Sequence, residues 1–339
     1  MMVIRPIRAN DYPALYQMAV ESGHGFTSLP VNEELLMRKI SRSMASFNKT
    51  VSSPGDEGYL FVLEDTSSGQ VCGTSALEAA VGLEDAFYHY HLGKVVHSSK
   101  TLGVYKTVDI LTLCNDYTGV SELCTLFLRP PFRQKFNGRL LSKMRFLFLA
   151  EFAERFSDKI IAELRGVSDA QGNSPFWQWL QAHFFSVDFP TADYLTGIGQ
   201  KEFIAELMPK YPIYVSLLSK AAQQVIGQVH EQTRPALALL ESEGFSCRGY
   251  VDIFDAGPTV EARISQIRAI RDSQRLQVRI AEATGSGEAY MICNTTLSEF
   301  RACWAELQPQ ANSTEISIPA ELATALQVNA GEWVRISKL

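Results

Sequence analysis

A cluster of basic side chains marks the part of this chain best suited to bind an anion. Six basic residues and no acidic one lie between residues 129 and 145, although the whole chain of 339 residues has a formal net charge of −6. They are Arg129, Arg133, Lys135, Arg139, Lys143 and Arg145. The apolar run before them is typical of a strand, and the run after Gly138 is typical of an amphipathic helix. Because free N–H groups and the positive end of a helix dipole would meet the basic loop, the pattern predicts an anion site.

Composition excludes several other classes of protein. The 46% apolar and 20% charged content is ordinary for a globular protein, and no apolar run approaches the roughly 18 residues of a membrane span. An acidic chain with one basic segment is poorly suited to nucleic acid. The six cysteines form no Cys-x-x-Cys pair and have no zinc-ligand spacing with histidine. They predict reduced thiols in a cytoplasmic protein, without a metal site.

The predicted elements alternate between strands and helices up to about residue 275 and become mostly strands beyond it. A strand over Val3–Arg8 precedes a helix that Asn10 or Asp11 caps, and Asn32 begins a second helix. Residues 84–118 have an irregular pattern, with room for one or two strands. Later helices are predicted from Ser174-Pro175, and over 201–208, 220–229 and 234–243. The sequence thus predicts an α/β domain over 1–275, with a helical insertion at about 186–235, and a small β-barrel-like domain over 276–339.

The strand, basic loop and helix resemble the acyl-CoA-binding signature of the GNAT acyltransferase superfamily. In that family a loop of the form Arg/Gln-x-x-Gly-x-Gly/Ala holds the CoA pyrophosphate on its amides. The match here is Arg133-x-x-Phe136-x-Gly138, in which Phe136 replaces the first glycine. The resemblance implies a mixed, mostly antiparallel sheet. It also implies that Asn137 and Gly138 join the phosphate site and that the backbone of Leu126 receives the thioester oxygen.

Several longer segments resemble the arginine N-succinyltransferase family. They are Gly25–Pro30, Ser121–Leu128, Gly172–Trp177, Phe203–Pro209, Val225–His230 and Tyr250–Thr259. The resemblance covers Met1 to about Arg271 and continues more loosely beyond it. It implies an enzyme that transfers succinyl from succinyl-CoA to the α-amine of L-arginine, the first step of arginine breakdown by this route. Succinyl-CoA would be a co-substrate, with no tightly bound cofactor.

His230 is the candidate catalytic residue. It lies between two predicted helices, and the matching histidine of the family is the proposed proton donor. An imidazole with an ordinary pKa near 6.5 can exchange a proton close to neutral pH. The remaining histidines lack this support and are interpreted as structural or solvated; they are His24, His89, His91, His97 and His183.

The acceptor substrate, arginine, requires several further contacts. Its guanidinium group needs a carboxylate, for which Glu122, Glu163 and Asp193 are candidates. Its carboxylate needs a cation or N–H groups, which Arg165 or the Gly25–Ser28 loop, including Ser28, can supply. Spacing alone does not choose among these candidates, and it does not assign a group for the succinyl carboxylate.

Two alternatives to this function stay open at the level of sequence. The fold could serve another acyl-CoA or another amine, such as ornithine, or it could be a non-catalytic acyl-CoA-binding module. The expected partners are succinyl-CoA and L-arginine, with neither nucleic acid nor a membrane. The aromatic-rich residues 84–118 favour a homo-oligomer, most simply a dimer.

Overall fold

The strands of the protein join edge to edge in one mixed, mostly antiparallel sheet. The computed structural model describes residues 1–23, 27–169, 171–200, 202–281 and 287–339. Its strands are β1 (Met2–Pro6), β2 (Gly58–Asp65), β3 (Gln70–Glu78), β4 (His89–Ser99), β5 (Val104–Cys114), β6 (Ser121–Leu128), β7 (Lys159–Glu163), β8 (Ile213–Tyr214), β9 (Ser246–Val251), β10 (Pro258–Arg263), β11 (Gln274–Ile280), β12 (Glu288–Asn294), β13 (Ala302–Leu307), β14 (Glu315–Ile318) and β15 (Trp333–Lys338). Their order in the sheet is β14-β11-β15-β12-β13-β1-β2-β3-β6-β7-β10-β9-β4-β5-β8.

Helices cover the sheet and connect its strands. They are α1 (Tyr12–Ser22), α2 (Glu33–Asn48), α3 (Asn137–Glu151), α4 (Pro175–His183), α5 (Phe189–Gly197), α6 (Glu202–Leu207), α7 (Lys220–Val225), α8 (Arg234–Ser242), α9 (Arg268–Arg271) and α10 (Ala320–Leu326). The predicted α/β class is therefore confirmed. Within the described residues, no helix is long and apolar enough to cross a membrane.

Helix α3 is the central helix of the fold. Eleven of its fifteen residues are buried, so it is surrounded by protein rather than lying on the surface as a simple amphipathic helix. The ring of Phe148 packs against those of Phe47, Phe61 and Phe300, with centroids 5.0 to 5.8 Å apart. These edge-on contacts join α3 to α2, to the sheet and to the C-terminal part of the chain.

Strands β6 and β7 lie side by side but separate after one short contact. They pair in parallel at Ser121 with Ile160 and at Glu122 with Ile161, and no further pairs follow in the described part of either strand. Beyond this point the two strands diverge, and their unpaired edges face a cleft. A sheet opened in this way can offer backbone N–H groups to a ligand.

The C-terminal strands are built onto the same sheet. Strand β13 pairs with β1 at Ala302 and Ile4. Glu151 at the end of α3 accepts a hydrogen bond from Arg335 Nε (2.9 Å) and lies 3.3 Å from Arg275 Nη2. The division into two domains at residue 275, and the barrel-like form of the second, stay predictions.

Residues 84–118 are more regular than the sequence indicated. They contain a long hairpin in which all eleven residues of β4 pair with those of β5. The outer half of this ribbon is mostly exposed and carries several charged side chains. Its apolar periodicity is therefore weak, which is why no definite strand could be predicted there.

Candidate active site

A cleft of about 1040 Å³ opens where β6 and β7 diverge. Its walls come from β6, the end of β7, the N-terminal half of α3, helix α8 and the turn that contains Asp252 and Asp255. The basic segment lies along one part of this wall and a group of carboxylates lies along another.

Leu126 lies in the cleft wall at a bulge in β6. Cys124 pairs with Ala76 and Phe127 with Thr74, so Thr125 and Leu126 together stand opposite the single residue between them on β3. Thr125 has φ +53°, an unusual value for a residue with a side chain. The bulge interrupts the ladder beside Leu126, as required if its amide is to bind a ligand.

Arg145 supports the bulge from behind. Arg145 is 2% exposed, and its guanidinium donates hydrogen bonds to the carbonyl oxygens of Cys124 (3.3 Å) and Ala76 (3.4 Å). Burial lowers the pKa of Arg145 to about 10. This residue of the basic segment therefore serves the strand geometry more than the charge of the cleft.

Three residues of the basic segment are placed to attract an anion. Arg133, Lys135 and Arg139 line the cleft and form no ion pair within the described residues. By contrast, Arg129 pairs with Glu21 at 2.7 Å, and buried Lys143 pairs with Glu243 at 3.0 Å. The charge available for binding is therefore about half of what the count in the sequence suggests.

The start of α3 brings backbone donors to the same place. Gly138 and Arg139 line the cleft, and the first regular helical bond runs from Leu140 N–H to the carbonyl of Phe136. The N–H groups of the preceding positions have no intrahelical acceptor. The helix start and the basic side chains thus bring together the N–H donors and positive charge that an anion site requires.

Two residues predicted for the anion site have side chains that contact other parts of the protein and do not face the cleft. The ring of Phe136 packs against Trp304 at 5.1 Å, and Asn137 is buried and donates to the carbonyl of Phe132 (3.1 Å). Neither belongs to the described cleft lining. Any contribution from these two residues would come from their backbone.

His230 lies next to the cleft. Its backbone N–H donates to the carbonyl of Arg165 (2.9 Å), and Arg165 lines the cleft as do Gln232 and Thr233. The ring is half-buried, and its Nδ1 accepts the N–H of Gln232 (3.2 Å). Burial lowers the pKa of His230 below its ordinary value, Arg165 lowers it further, and Glu231 acts in the opposite direction. His230 itself is not among the described lining residues.

Carboxylates gather at the end of the cleft near β7. Glu163, the last residue of β7, lines the cleft, and its Oε1 lies 2.9 Å from Nε2 of buried His89. Arg165 also lines the cleft and donates to Ser168 Oγ (2.9 Å). Burial lowers the pKa of Arg165, opposed by nearby Asp255 and Asp193.

Asp252 and Asp255 belong to this acidic end although sequence reasoning did not select them. Both line the cleft. Burial raises the pKa of Asp252 well above its ordinary value, and the neighbouring Asp255 and Glu163 raise it further. Burial also raises the pKa of Asp255, although N–H donors from Gly257 and Gly166 favour its charged form. The segment Tyr250–Thr259 carried family resemblance, but no local pattern identified its aspartates as site residues.

The other predicted substrate contacts are also at the cleft. Glu122, Ser28 and Asp193 line it, and Asp193 accepts a hydrogen bond from Thr27 Oγ1 (2.6 Å). The carbonyl of Ser28 accepts a hydrogen bond from Lys39 Nζ (2.6 Å). Gly25 and Phe26 of the predicted Gly25–Ser28 loop lie outside the described residues, as does His24.

The splayed strands, the bulge in β6 and the basic start of α3 define a GNAT-like acyltransferase. Residues 2–269 match the family model described as arginine N-succinyltransferase beta subunit, and residues 274–338 match the model of its C-terminal domain. The chain belongs to the arginine N-succinyltransferase family, which confirms the resemblance seen in its sequence.

Individual relatives agree over the full length. The chain is 50% identical over 340 residues to an arginine N-succinyltransferase of Escherichia coli and 49% identical over 341 residues to one of Yersinia enterocolitica, covering 100% of this chain and 98% of each relative. It is also similar to the solved structure of arginine/ornithine succinyltransferase subunit AI from Pseudomonas aeruginosa. That similarity has a TM-score of 0.92 at 39% identity and covers 100% of this chain and 98% of the other.

Proposed function

We propose that the protein transfers the succinyl group of succinyl-CoA to the α-amine of L-arginine. The observation that carries this proposal is the separation of charge along one cleft. Arg133, Lys135 and Arg139 lie at the end formed by α3, whereas Glu163 and Asp252 lie near the end of β7. The basic end suits the phosphates of a CoA thioester, and the acidic end suits a cationic amino acid.

The reaction joins the two substrates between these ends. The neutral α-amine attacks the thioester carbonyl, a C–N bond forms, and the carbonyl oxygen becomes an oxyanion. The backbone N–H of Leu126 at the bulge is the proposed donor to that oxygen. The C–S bond then breaks, the thiolate of CoA takes a proton, and the amide nitrogen loses one.

His230 is the proposed group that moves a proton in this sequence. Because Nδ1 accepts the Gln232 N–H, the ring exchanges protons with the reacting atoms through Nε2. Its donor role requires the imidazolium form, in which both ring nitrogens carry N–H groups, so the hydrogen bond from Gln232 to Nδ1 must be given up in that form. The lowered pKa confines the imidazolium to the acid side of neutrality. After giving up that proton, the ring can accept one from the amine, so one residue can serve both transfers.

The acidic end is the proposed guanidinium site. Glu163 and Asp252 offer carboxylate oxygens, and the raised pKa of Asp252 reflects its burial near other carboxylates. A guanidinium group there would offset that repulsion and favour the ionised form of Asp252. Arg165 is the proposed cation for a substrate carboxylate, because it lines the same end of the cleft.

A thiol-release assay over a panel of substrates tests the proposal. The wild-type protein is mixed with succinyl-CoA or acetyl-CoA and with arginine, ornithine or no amine, and products are identified by mass spectrometry. The expected result is rapid release of CoA with succinyl-CoA and arginine, yielding N-succinylarginine. A preference for acetyl-CoA or for ornithine would point to the alternative substrates, and CoA binding without turnover would indicate a non-catalytic module.

The wider setting of the enzyme follows from the same proposal. All six cysteines are unpaired, which supports a reducing, cytoplasmic compartment. Succinyl-CoA enters as a co-substrate and leaves as free CoA, so the proposed chemistry needs no tightly bound cofactor. The exposed apolar side chains of the β4–β5 hairpin support assembly into a homo-oligomer.

A further inference from the structure

We propose that Asp255 is a positioning residue. Through its hydrogen bond with Gly166, it holds the backbone around His230 in the position that proton transfer requires. The proposal rests on the function proposed above, because it gives His230 the proton-transfer role. It concerns a buried carboxylate that the reaction itself does not use. The contacts that support it run along a continuous chain of hydrogen bonds from Asp255 to His230.

The carboxylate of Asp255 joins two backbone segments. Its Oδ2 accepts the N–H of Gly166 (2.6 Å), and its Oδ1 accepts the N–H of Gly257 (2.8 Å). Asp255 is 5% exposed, so both hydrogen bonds are shielded from water. Charged acceptors make stronger hydrogen bonds to N–H groups than neutral ones do, and losing such a partner leaves a buried donor unsatisfied.

The segment bound by Asp255 holds His230 directly. Gly166 forms an antiparallel bridge with Val229, and the adjoining carbonyl of Arg165 accepts the N–H of His230 (2.9 Å). A third tie runs from Gly227 N–H to the carbonyl of Ala256 (2.8 Å), beside Asp255. The loop 227–230 is therefore fixed at its start and at its end to the two segments that Asp255 joins.

The packing at this point admits only glycine at two positions. A Cβ on Gly166 would lie 2.6 Å from both the carbonyl oxygen and Oδ1 of Asp255. A Cβ on Gly257 would lie 2.1 Å from the carbonyl oxygen of Leu164. Such close approach of backbones requires glycine, and it means that the segments cannot shift independently.

The turn that presents Asp255 is itself constrained. Ala256 is fully buried and has φ +56°, a region that residues with a Cβ seldom occupy. Asp252 accepts the N–H groups of Phe254 (2.7 Å) and Asp255 (2.9 Å) from the other side of the turn. These contacts fix the backbone that carries Asp255 and so orient its carboxylate towards Gly166. The carboxylate is therefore held in one position.

A double-mutant cycle with Asp255→Asn and His230→Ala tests the proposal in the full-length enzyme. Asparagine has nearly the same shape as aspartate, but its NH2 group cannot accept one of the two N–H groups that the carboxylate accepts. Its kcat should fall roughly tenfold to a hundredfold, the scale that a displacement of about 1 Å costs, with little change in KM for either substrate. In the His230→Ala background the same change should cost almost nothing more, because both act through one group.

The matched control removes another buried carboxylate that does not line the cleft. Asp11 is 6% exposed and accepts the N–H of Arg8 (2.8 Å) as well as the guanidinium of Arg5. Asp11→Asn should lower stability but leave kcat unchanged. Gly166→Ala disturbs the same contact from the opposite side and should reproduce the loss of kcat seen with Asp255→Asn.

Several results would overturn the proposal. Wild-type kcat in Asp255→Asn would do so. A loss of kcat that multiplies with the loss caused by His230→Ala would show that the two residues act independently. A rise in KM for arginine alone would mean that Asp255 contacts the substrate directly. Full activity of His230→Ala would show that His230 does not transfer the proton, and the inference about Asp255 would fail with it. If His230→Ala loses activity and only the Asp255→Asn results disagree, the proton-transfer role stands and the inference about Asp255 alone fails. Where variants fail to fold, amide hydrogen exchange in the wild type decides: the Gly166 and His230 amides should exchange slowly, and fast exchange of Gly166 would contradict the support.

Discussion

At the residue scale, His230 is expected to affect turnover and not the binding of succinyl-CoA. Its proposed work is proton transfer, so His230→Ala should lower kcat roughly 10²–10⁴-fold. Binding of succinyl-CoA measured by calorimetry should change little, because the proposed phosphate site lies at the start of α3. His97→Ala, which removes an exposed histidine of the hairpin, is the control and should retain wild-type kcat. A folded His230→Ala enzyme with near-normal turnover would contradict the role.

The charge beside His230 predicts how its protonation responds to mutation. Burial and Arg165 both lower the pKa of His230, whereas Glu231 raises it. Arg165→Gln should therefore raise this pKa, so that the imidazolium persists to higher pH, and Glu231→Gln should lower it further. NMR titration of the His230 ring in the unliganded protein measures both shifts. Shifts of the same sign in the two variants would be inconsistent with this electrostatic arrangement.

Single site residues differed in how far the sequence could reveal them. Arg133 and Gly138 lie in a loop and helix start that are contiguous in the chain, so their pattern could place them at the cleft, whereas Leu126 was implied by the family resemblance. Asp252 and Asp255 were missed because their environment depends on partners far away in sequence; Asp255 meets Gly166 across 89 positions. No spacing rule within a single sequence reports such a contact.

At the scale of elements, the start of α3 is expected to control affinity for the acyl donor. Arg133 lines the cleft, whereas Arg129 is held by Glu21. Arg133→Ala should raise KM for succinyl-CoA roughly tenfold, with a smaller change in KM for arginine, because one charged contact to phosphate is lost. Arg129→Ala is the matched control and should change neither value appreciably. If Arg133→Ala raises KM for arginine alone, the phosphate assignment is wrong.

Local signals predicted elements well where a cap or turn fixes them. Asn32 accepts the N–H of Leu35 (3.0 Å) and Ser174 accepts that of Trp177 (3.4 Å), and both helices begin where these residues predicted. The bulge at Thr125 could not be predicted, because it depends on register with β3. Two C-terminal segments, 297–307 and 320–326, allow a helix from their sequence pattern. Residues 320–326 do form helix α10, whereas 297–307 ends in strand β13, because pairing with β1 and β12 outweighs local propensity.

At the scale of the whole molecule, the C-terminal strands should unfold together with the rest of the protein. Phe300 is fully buried and packs against Phe148 of the central helix at 5.1 Å. Phe300→Ala should lower the free energy of unfolding by roughly 3–5 kcal/mol. Urea unfolding followed by two probes should show one shifted transition. Phe184→Ala, at a residue 40% exposed, is the control. Loss of only a separate C-terminal transition would show that this region is energetically independent.

The proposed homo-oligomer is expected to use the outer half of the β4–β5 hairpin. Within the described residues, this ribbon pairs with β9 and β8 only in its inner half, and Leu102 and Tyr105 near its tip are 77% and 74% exposed. Contact with the same ribbon of a second copy would cover these side chains. Light scattering should give a dimer for the wild type and a monomer for Leu102→Asp. The control is Leu83→Asp, outside the hairpin. A monomeric wild type, or a dimer that survives Leu102→Asp, would contradict this arrangement.

The division of the cleft into a basic and an acidic end is tested most directly by comparing arginine with citrulline, its neutral isostere. The measurement is kcat/KM for both acceptors, at saturating succinyl-CoA, in the wild type and in Glu163→Gln. The wild type should strongly prefer arginine, and the variant should lose roughly tenfold or more of kcat/KM for arginine while keeping its low value for citrulline. Equal use of citrulline by the wild type, or an equal loss for both acceptors in Glu163→Gln, would contradict a cationic acceptor bound at this end.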